Sequence, residues 1–366
     1  MIHNIGMNRR EFLIGTTGTF LSANLPPFTP SKGGVVGMRI PDESEKHECT
    51  WMALAHSSAI WSKELIAGVR TDLIGLANTI SEFEEVRMLV MKEDIAFAKR
   101  ECSKNVEMIT ANFDDLWIRD YGPQFLLDAD KKLRGIDLNF NGWGKKQAHY
   151  RDAKIAAFIA KELGMPLLKS KVTMEGGAVE VNGHGSMIAT KSCIVNKNRN
   201  PQMSFTEIDK ALRSQFGLNE IVWLPGIAGK DITDGHTDFY ARFLPNGQVI
   251  ANLEEDKSSF DYNVTRSHLR ILREKFSKKN VLTVTPPFEI SEDYDSVDFA
   301  AGYINYYLVN GAVIMPKFGD KQADRIAGEI LQTAYQDREV TMVSINSIAS
   351  GGGGIHCSTL HQPASG

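Results

Sequence analysis

The sequence has few cysteines, no C-x-x-C pair, no long apolar run and no excess of charge of one sign. Four cysteines in 366 residues (Cys49, Cys102, Cys193 and Cys357) are too sparse for a disulfide scaffold, and none is expected to be structurally required in a bridge. No apolar stretch reaches the roughly 18 residues that span a bilayer as a helix. A formal net charge of −4 gives no reason to expect nucleic acid or an anionic membrane as a partner. What remains is an ordinary globular composition, 42% hydrophobic and 23% charged, with ample material for a core. Such a length allows two or three domains, or one large α/β domain.

Residues 1–37 stand apart from the rest. Asn8-Arg9-Arg10-Glu11-Phe12-Leu13-Ile14 resembles a twin-arginine export signal, followed by a modest apolar stretch from Phe12 to Leu25 and then Pro26, Pro27 and Pro30. The expected organisation is therefore an export leader over 1–37 and a single domain over 38–366. The expected location is periplasmic or secreted, or cytoplasmic if the leader is not functional.

Beyond the leader, four segments read as strand, tight turn, strand. They are Gln124-Leu127 into Arg134-Asn139, Ala178-Val181 into Ser186-Thr190, Phe239-Leu244 into Gln248-Leu253, and Tyr303-Val309 into Ala312-Pro316. The turn glycines Gly183, Gly247 and Gly311 recur every 64 residues. Each hairpin precedes an amphipathic stretch, Tyr150-Leu163, Thr206-Phe216, Val264-Phe276 and Ala323-Gln336, with apolar residues three and four apart. A short apolar strand follows each helix: Pro166-Val172, Glu220-Leu224, Asn280-Val284 and Val340-Ile345. The unit is β-β-α-β of about 60 residues, and Cys49 to Phe113 makes a divergent fifth. Fixed-period repetition of this kind means stacked or radial modules.

The candidate chemistry falls at equivalent places in these units. Asp120, Glu175 and Asp238 each precede a hairpin, at the expected mouth of its first strand, so radial units would bring them to one central cavity. Asp234-Gly235-His236-Thr237-Asp238 adds an imidazole, which an extended strand would turn to the same side as Asp238. Near the C-terminus, Gly351-Gly352-Gly353-Gly354-Ile355-His356-Cys357 follows an expected buried strand over Thr341-Ile348; the glycines let a ligand approach the backbone beside the thiol. Together these residues describe a cysteine nucleophile, an acid/base histidine, a carboxylate that orients it and two further carboxylates. Two acids beyond the histidine's partner suit a planar guanidinium, whose N–H donors pair bidentately with carboxylates. Trp117 can stack on that cation or cover its aliphatic chain.

These motifs resemble the agmatine deiminase family, related to bacterial-type peptidylarginine deiminases. The resemblance rests on Trp117 to Pro123, Ile136 to Gly144, Glu175-Gly176-Gly177, Asn196 to Pro201, Gly235 to Asp238, and Gly351 to Cys357 with Gln362-Pro363-Ala364. It covers nearly everything from Pro41 to Ala364. It implies an α/β pentein fold, a five-bladed propeller of pseudo-fivefold symmetry, and a thiol mechanism without cofactor or metal. It implies Cys357, His236, Glu175, Asp120 and Asp238 as catalytic residues, with Trp117, Gly352, Gly353 and Asp234 at the substrate. The expected reaction is hydrolysis of agmatine to N-carbamoylputrescine and ammonia, on the way to putrescine. The partner is a small guanidino substrate, and a homo-oligomer is compatible with the chain.

The sequence departs from the family pattern at three places, one being Asp234, which stands where relatives commonly have Asn two residues before the histidine. Ile232 stands where agmatine-specific relatives carry an acid four residues before the histidine, which displaces the carboxylate for the distal amine to Asp231 or Asp234. Met52 to His56 replaces the Trp-Pro segment expected after Trp51. Arginine or peptidyl-arginine is therefore the alternative substrate, and amidino transfer the alternative chemistry. Readings from other classes are a non-catalytic arginine or polyamine receptor, which needs only the carboxylates and Trp117, and a zinc hydrolase using His236, Asp238, His356 and Cys357.

Overall fold

Four stretches of this chain repeat one local recipe. A tight turn reverses a strand, an amphipathic helix carries the chain back, and a third strand adds in parallel. The computed structural model describes residues 37–56, 60–290 and 299–366; the leader expected over 1–37 lies, but for Gly37, outside the described residues. The hairpins are Gln124–Leu127 with Leu133–Asp137, Glu180–Val181 with Ser186–Thr190, Ala241–Phe243 with Val249–Asn252, and Tyr307–Val309 with Ala312–Lys317, all antiparallel. Gly183, Gly247 and Gly311 turn three of them at φ of +68°, +78° and +86°, a region closed to most side chains. The helices Ile155–Glu162, Phe205–Phe216, Asp261–Phe276 and Lys321–Ala334 lead into strands Leu167–Lys169, Glu220–Leu224, Val281–Val284 and Glu339–Ser344, each parallel to the second hairpin strand.

Helix Phe205–Phe216 illustrates the local causes. Ser204 and Glu207 form a capping box at its start, and Gly217 ends it in the left-handed conformation. Ile208, Leu212 and Phe216, spaced by four, are the residues it buries.

The fifth sheet is built differently. His47–Ala53, Glu85–Val90 and Val106–Thr110 run parallel, connected through helices Lys63–Ile80 and Ile95–Glu101. The C-terminal strand Leu360–Pro363 adds antiparallel to His47–Ala53, so the two ends of the domain share one sheet. Gln362 seals this junction by accepting hydrogen bonds from Trp51 Nε1 (2.9 Å) and Cys49 Sγ (3.4 Å). The result is a five-bladed α/β propeller, with five separate sheets among the described residues.

Several expectations are corrected. The buried strand expected over 341–348 is the strand Glu339–Ser344, half-exposed because it pairs on one edge only, followed by a helical turn Asn346–Ala349. Asp120 and Asp238 do not sit on extended strands. They lie in short helical turns, Ile118–Tyr121 and Thr237–Phe239, while Glu175 precedes a third turn, Gly176–Ala178. These turns direct their side chains inward just before each hairpin begins.

Candidate active site

The glycine run is dictated by its neighbours. A Cβ at Gly351 would collide with the Trp61 ring, one at Gly353 with the Trp117 ring, and one at Gly354 with Asn305. Gly352 has φ +86°. The backbone that follows is pinned by Asn305, whose Oδ1 accepts from His356 N (3.0 Å) and Cys357 N (3.4 Å). Its Nδ2 lies 3.4 Å from Cys357 Sγ. The thiol is thus held at the wall of a cavity of about 230 Å³ lined by Trp61, Asp115, Trp117, Asp120, Trp143 and Ile232, with Gly351 to Gly353 beside it.

Residues from four segments meet here. Cys357 Sγ is 3.7 Å from Asp238 Oδ2, and His236 Nδ1 is 3.7 Å from Asp120 Oδ1. His236 Nε2 lies 3.2 Å from Glu175 Oε2. That contact leaves Nδ1 as the working nitrogen, and it has no hydrogen-bond partner; Asp238 Oδ1 has none either. A Cβ at Gly177 would stand 2.6 Å from His236 Nδ1, 2.9 Å from Asp120 Oδ1 and 3.0 Å from Asp238 Oδ2, so only glycine lets these three groups converge. Asp120 is aimed by two donors, Trp143 Nε1 at 2.8 Å and Gly177 N at 3.0 Å.

The electrostatics follow from burial without a ligand. Burial, then the Asp238 and Asp120 carboxylates, push the Cys357 thiol well above its ordinary pKa. Burial also raises Asp120. Asp238 is equally buried but is held below the usual carboxylate range by His356, whose Nδ1 is 2.8 Å away. Burial works against charge on His236, yet Asp120 and Glu175 outweigh it and raise the imidazole well above its ordinary value. Glu175 is in turn held low against burial by Arg199, whose Nε lies 2.8 and 2.9 Å from its two oxygens. A guanidinium entering beside Cys357 would reverse the unfavourable field at sulfur.

One expected substrate ligand is displaced. Asp234 does not line the cavity. Its Oδ2 meets Arg199 Nη1 (2.8 Å), Asn198 Nδ2 (3.0 Å) and Lys146 Nζ (2.8 Å), and its Oδ1 accepts from Gly229 N (2.9 Å). Asp234 is the anchor of the loop that leads to His236, with a φ of +62° at its own backbone. Asp231 is likewise spent within the loop, on Thr233 and Gly235. The remaining expected residues (Cys357, His236, Glu175, Asp120, Asp238, Trp117, Gly352 and Gly353) gather as described.

Asn305, Trp143, Arg199 and Asp115 were given no role from sequence. Trp143 and Arg199 fall inside the stretches that carry the family resemblance, which was the available signal. Asn305 carries none, since it sits between tyrosines in an apolar segment. The donors of the zinc-hydrolase set are not the group that converges: among the described residues it is Glu175, Cys193 and His236 whose ligand atoms lie within 4.8 Å of one another. There the Arg199 guanidinium already occupies Glu175.

Behind the cavity wall Asp152 is fully buried, accepting from Asp114 N (2.6 Å) and Asp115 N (3.3 Å) with its other oxygen unpartnered. Burial, reinforced by Asp115 and Asp114, pushes its carboxyl up to about 8. The folded state therefore keeps a proton that the unfolded chain releases above pH ~4. Stability is full below that pH and falls as pH rises through about 8. Asp152→Asn removes the titration while keeping the acceptor. Melting curves at pH 5 and pH 8.5 are expected to show the variant gaining on wild type by about 3 °C or more between the two; a difference independent of pH would exclude this account.

Comparison with known proteins agrees with this geometry. A family model described as Porphyromonas-type peptidyl-arginine deiminase matches residues 39–363. The agmatine deiminase of Pseudomonas aeruginosa is 32% identical over 355 residues, covering 90% of this chain and 96% of its own. The agmatine deiminase of Enterococcus faecalis, solved catalysing its reaction, superposes with a TM-score of 0.83 at 26% identity, covering 89% of this chain and 96% of its own. That of C. jejuni, solved with substrate bound, gives a TM-score of 0.80 at 26% identity, with 90% and 97% covered.

Proposed function

This chain belongs to the Porphyromonas-type peptidyl-arginine deiminase family, and we propose that it hydrolyses agmatine to N-carbamoylputrescine and ammonia through a covalent intermediate on Cys357. The observation that carries the reading is the meeting of the Cys357 thiol, the Asp238 and Asp120 carboxylates and the unpartnered His236 Nδ1. Asp120 and Asp238 hold the guanidinium against the sulfur. The Cys357 thiolate adds to the guanidinium carbon, forming a C–S bond. His236 Nδ1 delivers a proton to one amino group as its C–N bond breaks and ammonia leaves. The S-alkylthiouronium that remains is attacked by water, whose proton passes to His236. The C–S bond then breaks as the adduct's hydroxyl proton passes to solvent, leaving a neutral ureido product, the thiolate and a protonated His236. Glu175 fixes the ring at Nε2 throughout and stabilises its protonated form, as a triad carboxylate does.

Agmatine is favoured over arginine by the charges around the cavity. Among the described residues its lining side chains include two acids, Asp115 and Asp120, and no lysine or arginine, so a dication is matched and an α-carboxylate is not. Ammonia release from agmatine, free arginine and an arginine-containing peptide tests this. The kcat/KM for agmatine is expected to exceed the others by about 100-fold or more; preference for arginine or the peptide would overturn the assignment.

A further inference from the structure

We propose that Asp115 receives the distal ammonium of the substrate and so determines specificity for an aminoalkylguanidine. The inference rests on the reading of the site as an agmatine deiminase. Along the cavity wall Trp117 stands against Gly353, next to the nucleophile, and Trp61 stands against Gly351 with its ring centroid 5.9 Å from that of Trp117. Asp115 lines the same cavity, its Oδ1 accepting from Trp61 Nε1 at 2.8 Å. Of the two acids among the described lining residues, Asp120 faces His236, so Asp115 is the one left for a second cation on a chain lying along the indoles.

The other ligands of Asp115 are Leu116 N at 2.8 Å on Oδ1 and Gln147 Nε2 at 2.8 Å on Oδ2. All are neutral, and among the described residues none of its partners carries a charge. An asparagine could accept from Trp61 and Leu116 equally well at Oδ1. A full carboxylate, 1% exposed and without a counter-ion, is costly unless a cation arrives from the cavity. The rest of this end is apolar or neutral: Ile60, Leu65, Ile232, Thr233 and Ser62. Asp231 and Asp234, the other acids nearby in sequence, are absent from the lining and committed elsewhere.

The test compares agmatine with n-pentylguanidine, in which a methyl group replaces the ammonium. Wild type is expected to prefer agmatine in kcat/KM. Asp115→Asn should lower kcat/KM for agmatine roughly 10- to 100-fold, chiefly through KM, and leave pentylguanidine within about threefold. A merely structural role for Asp115 predicts equal losses on both substrates, and that result, or an unchanged preference, overturns the inference while leaving the deiminase reading intact. If wild type releases ammonia from neither compound, it is the reading of the reaction that fails. Should the asparagine variant not fold, Asp115→Glu takes its place, moving the charge one methylene into the cavity. Its preference should then shift toward 3-aminopropylguanidine, and an unshifted chain-length optimum would count against Asp115 in the same way.

Discussion

Cys357→Ala is expected to lower ammonia release from agmatine by on the order of 10⁴-fold or more, while the melting temperature stays within about 3 °C of wild type. Among the described residues the sulfur's side-chain polar contacts are 3.4 Å from Asn305 Nδ2 and 3.7 Å from Asp238 Oδ2, so its loss removes little packing. Asp120 and Asp238 remain, and calorimetry should still detect agmatine binding. Turnover within tenfold of wild type would remove the covalent mechanism, since no other thiol faces the cavity among its lining residues.

The same site makes a second statement about that thiol. Burial and two carboxylates keep it protonated when the site is empty, so the thiolate forms on arrival of a cation that cancels their field. A resting nucleophile of this kind is expected to react more slowly with neutral electrophiles than with cationic ones. Catalytic power and substrate charge selection then come from one arrangement, because only a guanidinium-like group switches the sulfur on.

Much of this was legible in sequence because it is local. An Asn-Gly turn between apolar runs specifies a hairpin within a dozen residues, and three- and four-residue apolar spacing specifies a helix over four turns. The glycines of 351–354 were legible as a close approach, although what approaches is Trp61, Trp117 and Asn305 as much as any ligand. Strand Leu360–Pro363 was not identified: it is four residues long, ends in proline, and is a strand only because His47–Ala53 lies beside it. Thr341–Ile348 misled because β-branched residues continue past Ser344, where the chain enters a helical turn whose Ser347 N donates to Asp72 Oδ2. Asp234 misled because an acid beside a histidine looks free in sequence. Arg199, 35 residues away, claims it in three dimensions.

Glu43→Gln is expected to cost about 3–5 kcal/mol of stability and to lower kcat/KM by roughly 100-fold, although Glu43 touches no substrate. It belongs to the irregular segment ahead of the first strand and is not among the residues lining the cavity. Its Oε1 accepts from Arg242 Nη2 (2.8 Å) and Leu308 N (3.1 Å), its Oε2 from Arg119 Nη2 (2.9 Å), and His356 Nε2 lies 2.9 Å from Oε2. His356 Nδ1 is 2.8 Å from Asp238 Oδ2. His356 thus stands between two carboxylates, one at each ring nitrogen. Glu43 is held well below the usual range against burial by Arg242, His356 and Arg119, whereas burial pushes Glu180, the other partner of Arg242, up to about 8. The charge that balances this buried axis is therefore Glu43's. Removing it withdraws support from His356 and, through it, from the carboxylate beside Cys357. Two alkylating agents separate this from general damage: the rate of inactivation by cationic 2-chloroacetamidine should fall about tenfold relative to that by neutral iodoacetamide. His356→Asn, which breaks the link but keeps Glu43 with both arginines, should lower the same ratio. If both variants fold and keep the wild-type ratio, the clamp does not depend on this axis.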